Sequence, residues 1–445
     1  MISLSLDARI RWKTLSGRLR WALLLVAFLL PLRNIVDKIQ DLPLGNQFID
    51  ILIIGMLFGW FISSLILRTH AMSGSFVNVA SALMIAYTFI SLQVGNQYLH
   101  NFNLFDISDP RVQDWKNLCL LPVLYFLTLN EIKDKKWAWR MIAVMCASMA
   151  LSGYYTSTQI SWFSSLESRS KINGTFQFLG PNEVAAFFNQ YTLLLMSVYF
   201  AMRRSQYKLL LAGLILLNLY CILFLYSRAA YIAMALGMVI LFTFRNRKLL
   251  VPLIFAFILW QTVLPQKAIE RIQGTKNVYG ELDESSLRRL AVWQESVKIF
   301  QNNPVAGIGF GSFRYLGFDL HDTHNIYIKI MVEQGLIGLF IFLLVVLSFF
   351  FEGWKLYRQG DDELSRALGF GLVVCIPVLL VNNLFGDRWT YLELSAFLWI
   401  FAALVSRLNI ISEPIYKEKL RAKYQQQPKQ SLREQSSKIN QGRLK

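Results

Sequence analysis

The stretch Leu209–Phe244 sets the strongest constraint on what this chain can fold into. Arg228 is its only charged residue. As a single helix it would run about 54 Å at 1.5 Å per residue, whereas the hydrocarbon core of a bilayer is about 30 Å thick. The chain must therefore turn back, and Tyr226-Ser227-Arg228 is the polar break at which it does so. Two membrane spans joined by a tight turn result, with Arg228 at or just inside the membrane edge.

Similar apolar runs recur along the chain, which is 55% hydrophobic and only 16% charged, against about 25% charged in a soluble domain. A basic N-terminus leads into Trp21–Leu32, which has the charge order of a signal peptide but no small-residue cleavage site, so it reads as an uncleaved first span. Further spans are expected at Phe48–Leu67, Phe76–Val94, Leu118–Leu129, Trp139–Tyr155 and Glu183–Met202, the last starting behind Gly180-Pro181-Asn182. After the pair in Leu209–Phe244 come Leu249–Leu264, Leu336–Phe351, Leu368–Leu384 and Thr390–Val405. The fold class expected is an all-α polytopic membrane protein of about twelve transmembrane helices with one large external helical loop.

Charge supports that alternation, because cytoplasmic links hold an excess of Lys and Arg. With the N-terminus inside, the cytoplasmic links carry Arg68; Lys133, Lys135 and Lys136; Arg203, Arg204 and Lys208; Arg245, Arg247 and Lys248; and Lys355, Arg358 and Arg366. The outer links are poorer, with Lys38, Arg111, Arg169 and Lys171, Arg228, and Arg388. The expected organisation is a basic cytoplasmic N-terminus (1–20), a bundle of nine spans (21–264), a large external loop (265–335), three further spans (336–407), and a basic cytoplasmic tail (408–445) expected to be disordered with affinity for anionic lipid. The net charge of +17 is spread between apolar runs and tails, which favours a membrane surface over nucleic acid as the charged partner. The four cysteines, Cys119, Cys146, Cys221 and Cys375, lie in or at the ends of apolar runs and show no zinc spacing, so they read as packing residues.

Chemistry collects between Glu284 and Gly338. Ser285 and Ser286 are N-cap candidates for an amphipathic helix, whose apolar positions Leu290, Trp293, Val297 and Phe300 follow helical spacing. Asn302-Asn303-Pro304 stops it. Gly307, Gly309 and Gly311 follow without a strand–helix unit around them, so tight turns packed on neighbours are expected there and not a nucleotide site. Each polar residue has a structural reading beside a functional one. Arg228 either snorkels to headgroups or faces the bundle as a fixed cation. Arg288 has Glu284 one turn earlier to pair with; Arg289 has no acid one turn earlier and is the better candidate for a functional cation. His324 either caps the returning helix or acts as a base.

Tyr226-Ser227-Arg228-Ala229-Ala230, Arg289 four before Trp293, Asn303-Pro304-Val305-Ala306-Gly307-Ile308-Gly309, and His324-Asn325-Ile326-Tyr327 with Glu333-Gln334-Gly335-Leu336 together resemble the O-antigen ligase and polymerase superfamily. Gly180-Pro181-Asn182-Glu183 is similar to a further motif of that family. The resemblance covers about Arg169 to Leu347. Ala229 departs from it, since many members have glycine there, and the turn is then expected to be less tight. What the resemblance implies is a metal-independent, cofactor-free inverting glycosyltransferase of the bacterial inner membrane. Such an enzyme moves a glycan from undecaprenyl pyrophosphate to a hydroxyl of a glycan, lipid or protein acceptor on the outer face. His324 then suits the general base, and Arg289 with Arg228 the balancing of pyrophosphate charge. Arg169, Arg288 and Arg314 are possible helpers for the same charge; Asn325, Trp293 and Asn182 are supporting residues.

Two other functions compete. A transporter or flippase of lipid-linked oligosaccharide predicts ionisable residues at mid-membrane depth and a repeat architecture; the spans are nearly free of charge and no internal repeat is visible. A non-catalytic scaffold would not need its cations and histidine on one face. Ligase and polymerase share the carrier and differ in the acceptor, so the residues leave that choice open.

Overall fold

The computed structural model describes residues 6–36, 47–67, 75–100, 106, 108–163, 165–176, 179–274, 284–318 and 322–442. Every regular element among them is helical. In order they are α1 (Leu6–Leu29), α2 (Arg33–Val36), α3 (Phe48–Leu67), α4 (Phe76–Tyr98), α5 (Pro110–Glu131), α6 (Lys135–Trp162), α7 (Pro181–Ala201), α8 (Ser205–Phe224), α9 (Arg228–Arg245), α10 (Leu250–Ile258), α11 (Trp260–Val263), α12 (Gln266–Gln273), α13 (Glu284–Asn302), α14 (Ile326–Gln359), α15 (Glu363–Asn382) and α16 (Leu392–Gly442), with short 3-10 turns between some.

The chain is an all-α polytopic membrane protein. Among the described residues eight helices are long and apolar enough to cross a membrane: α3, α4, α7, α8, α9, α14, α15 and α16. The expected spans at Trp21–Leu32, Leu118–Leu129 and Trp139–Tyr155 fall on α1, α5 and α6, which do not reach that standard. The expected span Leu249–Leu264 is not one helix: it breaks at Leu259 into α10 and the four-residue α11. Lys38 and Arg68 lie outside the described residues. Beyond Ser406 the backbone stays helical to Gly442, where a disordered tail was expected.

α7 and α16 form the centre, with 83% of each apolar window buried, against 28% for α3 and 33% for α8 and α9. Around them pack α15, α14 and α5. Trp399 is fully buried there, with Tyr125, Phe349 and Trp389 edge-on or tilted against its ring at 4.9–6.4 Å, the spacing aromatic quadrupoles prefer. Cys221 and Cys375 are buried in the same core and no cysteine is paired.

Helix ends gather on two faces. On one, Lys135 bonds Asp361 and Asp362 at 2.5 Å, Arg203 pairs with Glu363, and Ser75 donates to Glu352. On the other, Arg33 pairs with Glu393 at 2.7 Å, Arg388 with Glu183 at 2.8 Å, and Lys329 with Asp387 at 3.0 Å. The second face carries α12, α13 and the glycine-rich turns, and is called the α13 face below.

Candidate functional site: a cationic cavity under α13

The turn between α8 and α9 is built first. Tyr226 takes the left-handed region (φ 48°), uncommon for a non-glycine residue, and the helix carbonyls it strands are claimed by side chains. Arg169 donates from Nε to the carbonyl of Leu225 at 2.5 Å, and the Tyr231 hydroxyl to that of Leu223 at 2.6 Å. Arg169 also donates to Asn182 Oδ1 at 2.7 Å, tying the turn to the first turn of α7. Burial, with Arg271 nearby, lowers the Arg169 guanidinium to about 10, so it stays charged near neutrality and acts as a structural cation.

Beside this turn lies a cavity of about 780 Å³. Its cationic side carries Arg228 at the start of α9, Arg271 on α12 and Arg289 on α13; its apolar side carries Ile232 from α9 with Leu253, Phe257 and Trp260 from α10 and α11. No α10 residue is buried, and Phe257 is 74% exposed. In a membrane protein such a face meets hydrocarbon, so the cavity joins a lipid-facing wall to three guanidiniums.

α13 roofs it, and the apolar positions named from its spacing part to different sides. The residues that pack into a small core with Ile308, Phe313 and Val332 are Val292, Ile299 and Phe300. Of the four apolar positions named from spacing, Phe300 packs there, Leu290 and Trp293 line the cavity, and Val297 is exposed. Ser286 also lines the cavity and is not a cap, because the helix already begins at Glu284; nothing is described of the Ser285 side chain.

The glycine-rich turns dock on a break in α14. Gly335 (φ 65°, ψ −164°) interrupts that helix, and the carbonyls released are taken up elsewhere. Ile308 and Gly309 donate their N–H groups to Val332 and Glu333 at 2.9 and 2.7 Å, and the Tyr87 hydroxyl donates to Gln334 at 2.7 Å. The glycines therefore serve backbone approach, as expected from sequence.

His324 precedes α14 in the left-handed region, at φ 50°. Its neighbours pin it there: Trp293 Nε1 donates to the carbonyl of Thr323 at 2.8 Å, and Asn325 caps α14 by accepting from the N–H groups of Tyr327 and Ile328. Burial and then Arg289 lower the His324 pKa, opposed by Asp322 and Glu183. His324 does not line the cavity; it stands near Arg289, which does. Asp387, close by, is buried, which alone would raise its pKa, yet the Lys329 ammonium and Thr390 hold it below the usual carboxylate range.

Of the arginines named from sequence, Arg228 and Arg289 meet in the cavity. Arg288 does not: it is exposed and bonded to Glu284 at 2.5 Å. Arg314 pairs with Asp114 of α5, and Arg169 supports the turn from behind. Asn182 and Trp293 line the cavity. Sequence reasoning missed Arg271, Tyr231 and the Arg388–Glu183 pair. Nothing in the sequence marked Arg271, since the one-sidedness of α12 shows only in the burial of Ala268 and Ile269. Among the described residues no group of three or more His, Cys, Asp or Glu side chains is placed to hold a metal ion.

Residues 211–343 match the family model described as O-Antigen ligase. That segment is similar to the O-antigen ligase family. The matched segment takes in the α8–α9 turn, α10 to α13, His324 and the break in α14; Arg169, Asn182 and Arg388 lie outside it. Over 264 residues the chain is also 24% identical to the exopolysaccharide production protein ExoQ of Rhizobium meliloti (strain 1021). That alignment covers 52% of this chain and 59% of the relative's length.

Proposed function

We propose that the protein is an inverting glycosyltransferase that takes a glycan from a polyprenyl-pyrophosphate carrier and joins it to an acceptor hydroxyl, without a metal, on the outer face of the bacterial inner membrane. The observation that carries this reading is the cavity itself, with Arg228, Arg271 and Arg289 at one side and the exposed apolar faces of α9 and α10 at the other. An amphiphile with a polyanionic head fits both sides at once. The match of residues 211–343 to the O-antigen ligase model and the similarity to an exopolysaccharide production protein point the same way.

The division of labour follows from charge. The pyrophosphate gains negative charge as its bond to the sugar breaks, and preorganised guanidiniums stabilise that developing charge in a site poor in water. Arginine can meet two phosphate oxygens with a planar fork, which an ammonium cannot. His324, kept neutral near pH 7 by burial and by Arg289, accepts the proton of the attacking hydroxyl. The reading keeps twelve spans with both termini cytoplasmic, α1, α5, α6 and the α10–α11 pair completing the eight.

The test is transfer from purified carrier-linked glycan in proteoliposomes. Arg228→Ala and Arg289→Ala should each lower turnover by about 10²-fold or more, the usual loss of one transition-state donor, with lysine rescuing only in part. Normal transfer by either alanine variant would remove that arginine from the site. In cells, a deletion that leaves single repeats attached marks a polymerase; accumulation of full-length carrier-linked chains marks a ligase.

A further inference from the structure

A second cavity, of about 380 Å³, lies on the other side of the α8–α9 turn. Its volume is within the range of small-molecule sites, roughly 300–1,000 Å³. Two chain segments form the wall it shares with the cationic cavity. Tyr226 lines the second cavity while Ser227 and Arg228 line the first; Pro265, Gln266 and Lys267 line the second while Val263 and Leu264 line the first. The left-handed backbone at Tyr226 is where consecutive side chains part to the two sides.

The lining is aromatic with polar ends. Phe163 follows α6, Tyr220 and Phe224 end α8, and Gln266 and Lys267 open α12 above them. Tyr220 and Phe224 lie 4.7 Å apart at 37°, and Phe224 and Tyr226 6.3 Å apart at 64°, so several ring faces are presented in different planes. Rings at helix ends commonly form a membrane-interface belt that faces lipid. Tyr226 does not fit a belt, being only 6% exposed, and Gln266 and Lys267 bring to the same lining an amide and an ammonium that an acyl chain would leave unmatched. A lipid tail already has the long apolar wall of α9 and α10 in the first cavity.

We infer that this second cavity is a saccharide-binding subsite, holding sugar units of the glycan beside the pyrophosphate cavity. Sugars have flat C–H faces and hydroxylated edges. Aromatic rings cover the faces, and the tyrosine hydroxyls, Gln266 and Lys267 serve the edges. The inference rests on the transferase reading for the identity of its ligand. It does not require that the ligand react there, and the sugar units belong either to the donor chain or to the acceptor.

The experiment uses the full-length protein in nanodiscs and, as probe, oligosaccharide released by mild acid from the carrier lipid of the producing cell. Saturation-transfer NMR should show the probe binding, and Tyr220→Ala should weaken it about tenfold, or about 1.4 kcal/mol, with Tyr220→Phe retaining most of it. Phe163→Leu, at a second position, should weaken it in the same direction and serves if Tyr220→Ala fails to insert. In the transfer assay the same variants should raise KM with kcat nearly unchanged; a rise confined to the donor assigns the sugars to the donor chain, and one confined to the acceptor assigns them to the acceptor. Unchanged probe binding in both Tyr220→Ala and Phe163→Leu would overturn the subsite and leave the rings as a membrane anchor. Because probe binding needs no turnover, a protein that binds the probe through these rings yet transfers nothing would sink the transferase reading and leave the subsite standing.

Discussion

His324 concentrates the residue-scale argument. A left-handed φ on a non-glycine residue is tolerated only where its surroundings over-determine it, and here Trp293 on one side and the Asn325 cap on the other do so. A base must be neutral to work, so activity is present above its pKa and lost as pH falls through it. Burial and Arg289 lower that pKa; the acid limb of the kcat/KM profile should therefore lie below the ordinary imidazole value of about 6.5, and Arg289→Gln should move it upward in pH. His324→Gln keeps hydrogen bonding without basicity and should lower turnover by roughly 10²–10⁴. Wild-type turnover in that variant, or an acid limb above the ordinary value, removes the base assignment. Arg228 and Arg289 were legible in the sequence because each sits in a recognisable run. Arg271 was not, since an arginine on a short loop helix carries no local mark of the cavity it enters.

At the scale of elements, the sequence predicted the end of α13 at Asn302 and the turns after it, because proline and glycine act locally. Of the apolar positions it named on α13, only Phe300 packs in the small core. A helix that roofs a cavity shows apolar residues on two sides, one for the core (Val292, Ile299) and one for the ligand space (Leu290, Trp293), and periodicity alone does not rank them. The break in α14 falls at Gly335, where the sequence reading ended the loop and began a span at Leu336; what it missed is the helical stretch before the break, whose carbonyls the glycine-rich turns take up. That interlock is testable by contrast. Gly317 (φ +74°) has open space where a Cβ would go, so Gly317→Ala should cost only the left-handed backbone, about 1–2 kcal/mol. At Gly309 (φ +106°) a Cβ would stand 2.0 Å from the Gly95 nitrogen of α4, and Gly309→Ala should abolish folded yield or lower the unfolding temperature far more. Equal melting shifts for the two variants in detergent would mean that the turns do not hold α4 and α14 together.

For the whole molecule, hydropathy located the helices but not their neighbours, which depend on contacts far apart in sequence, such as Arg33 with Glu393. It also gave no warning that the run after Leu249 breaks, since α10 and α11 are apolar across the break. Orientation is the remaining global property, and it follows from which face holds the basic links. Lys135, Arg203 and Arg245 sit where acids also gather, at Asp361, Asp362 and Glu363; on the α13 face Arg33 and Arg388 are likewise paired with Glu393 and Glu183, while Arg228, Arg271 and Arg289 line the cavity. The proposed orientation, which takes the bias of Lys and Arg toward the cytoplasm as its guide, has the α13 face outside. α14 makes this measurable. Past its break at Gly335 it runs unbroken from Leu336 to Gln359, about 36 Å at helical rise, enough to cross the membrane with some tilt. A reporter fused after Gln301 should read external and one after Gln359 cytoplasmic. One after Lys133 should agree with Gln359, because Lys135 bonds Asp361 and Asp362. The same side for Gln301 and Gln359 would mean that α14 does not span. Reversal of all three would open the cationic cavity to the cytoplasm and sink transfer on the outer face, whatever the arginine variants do.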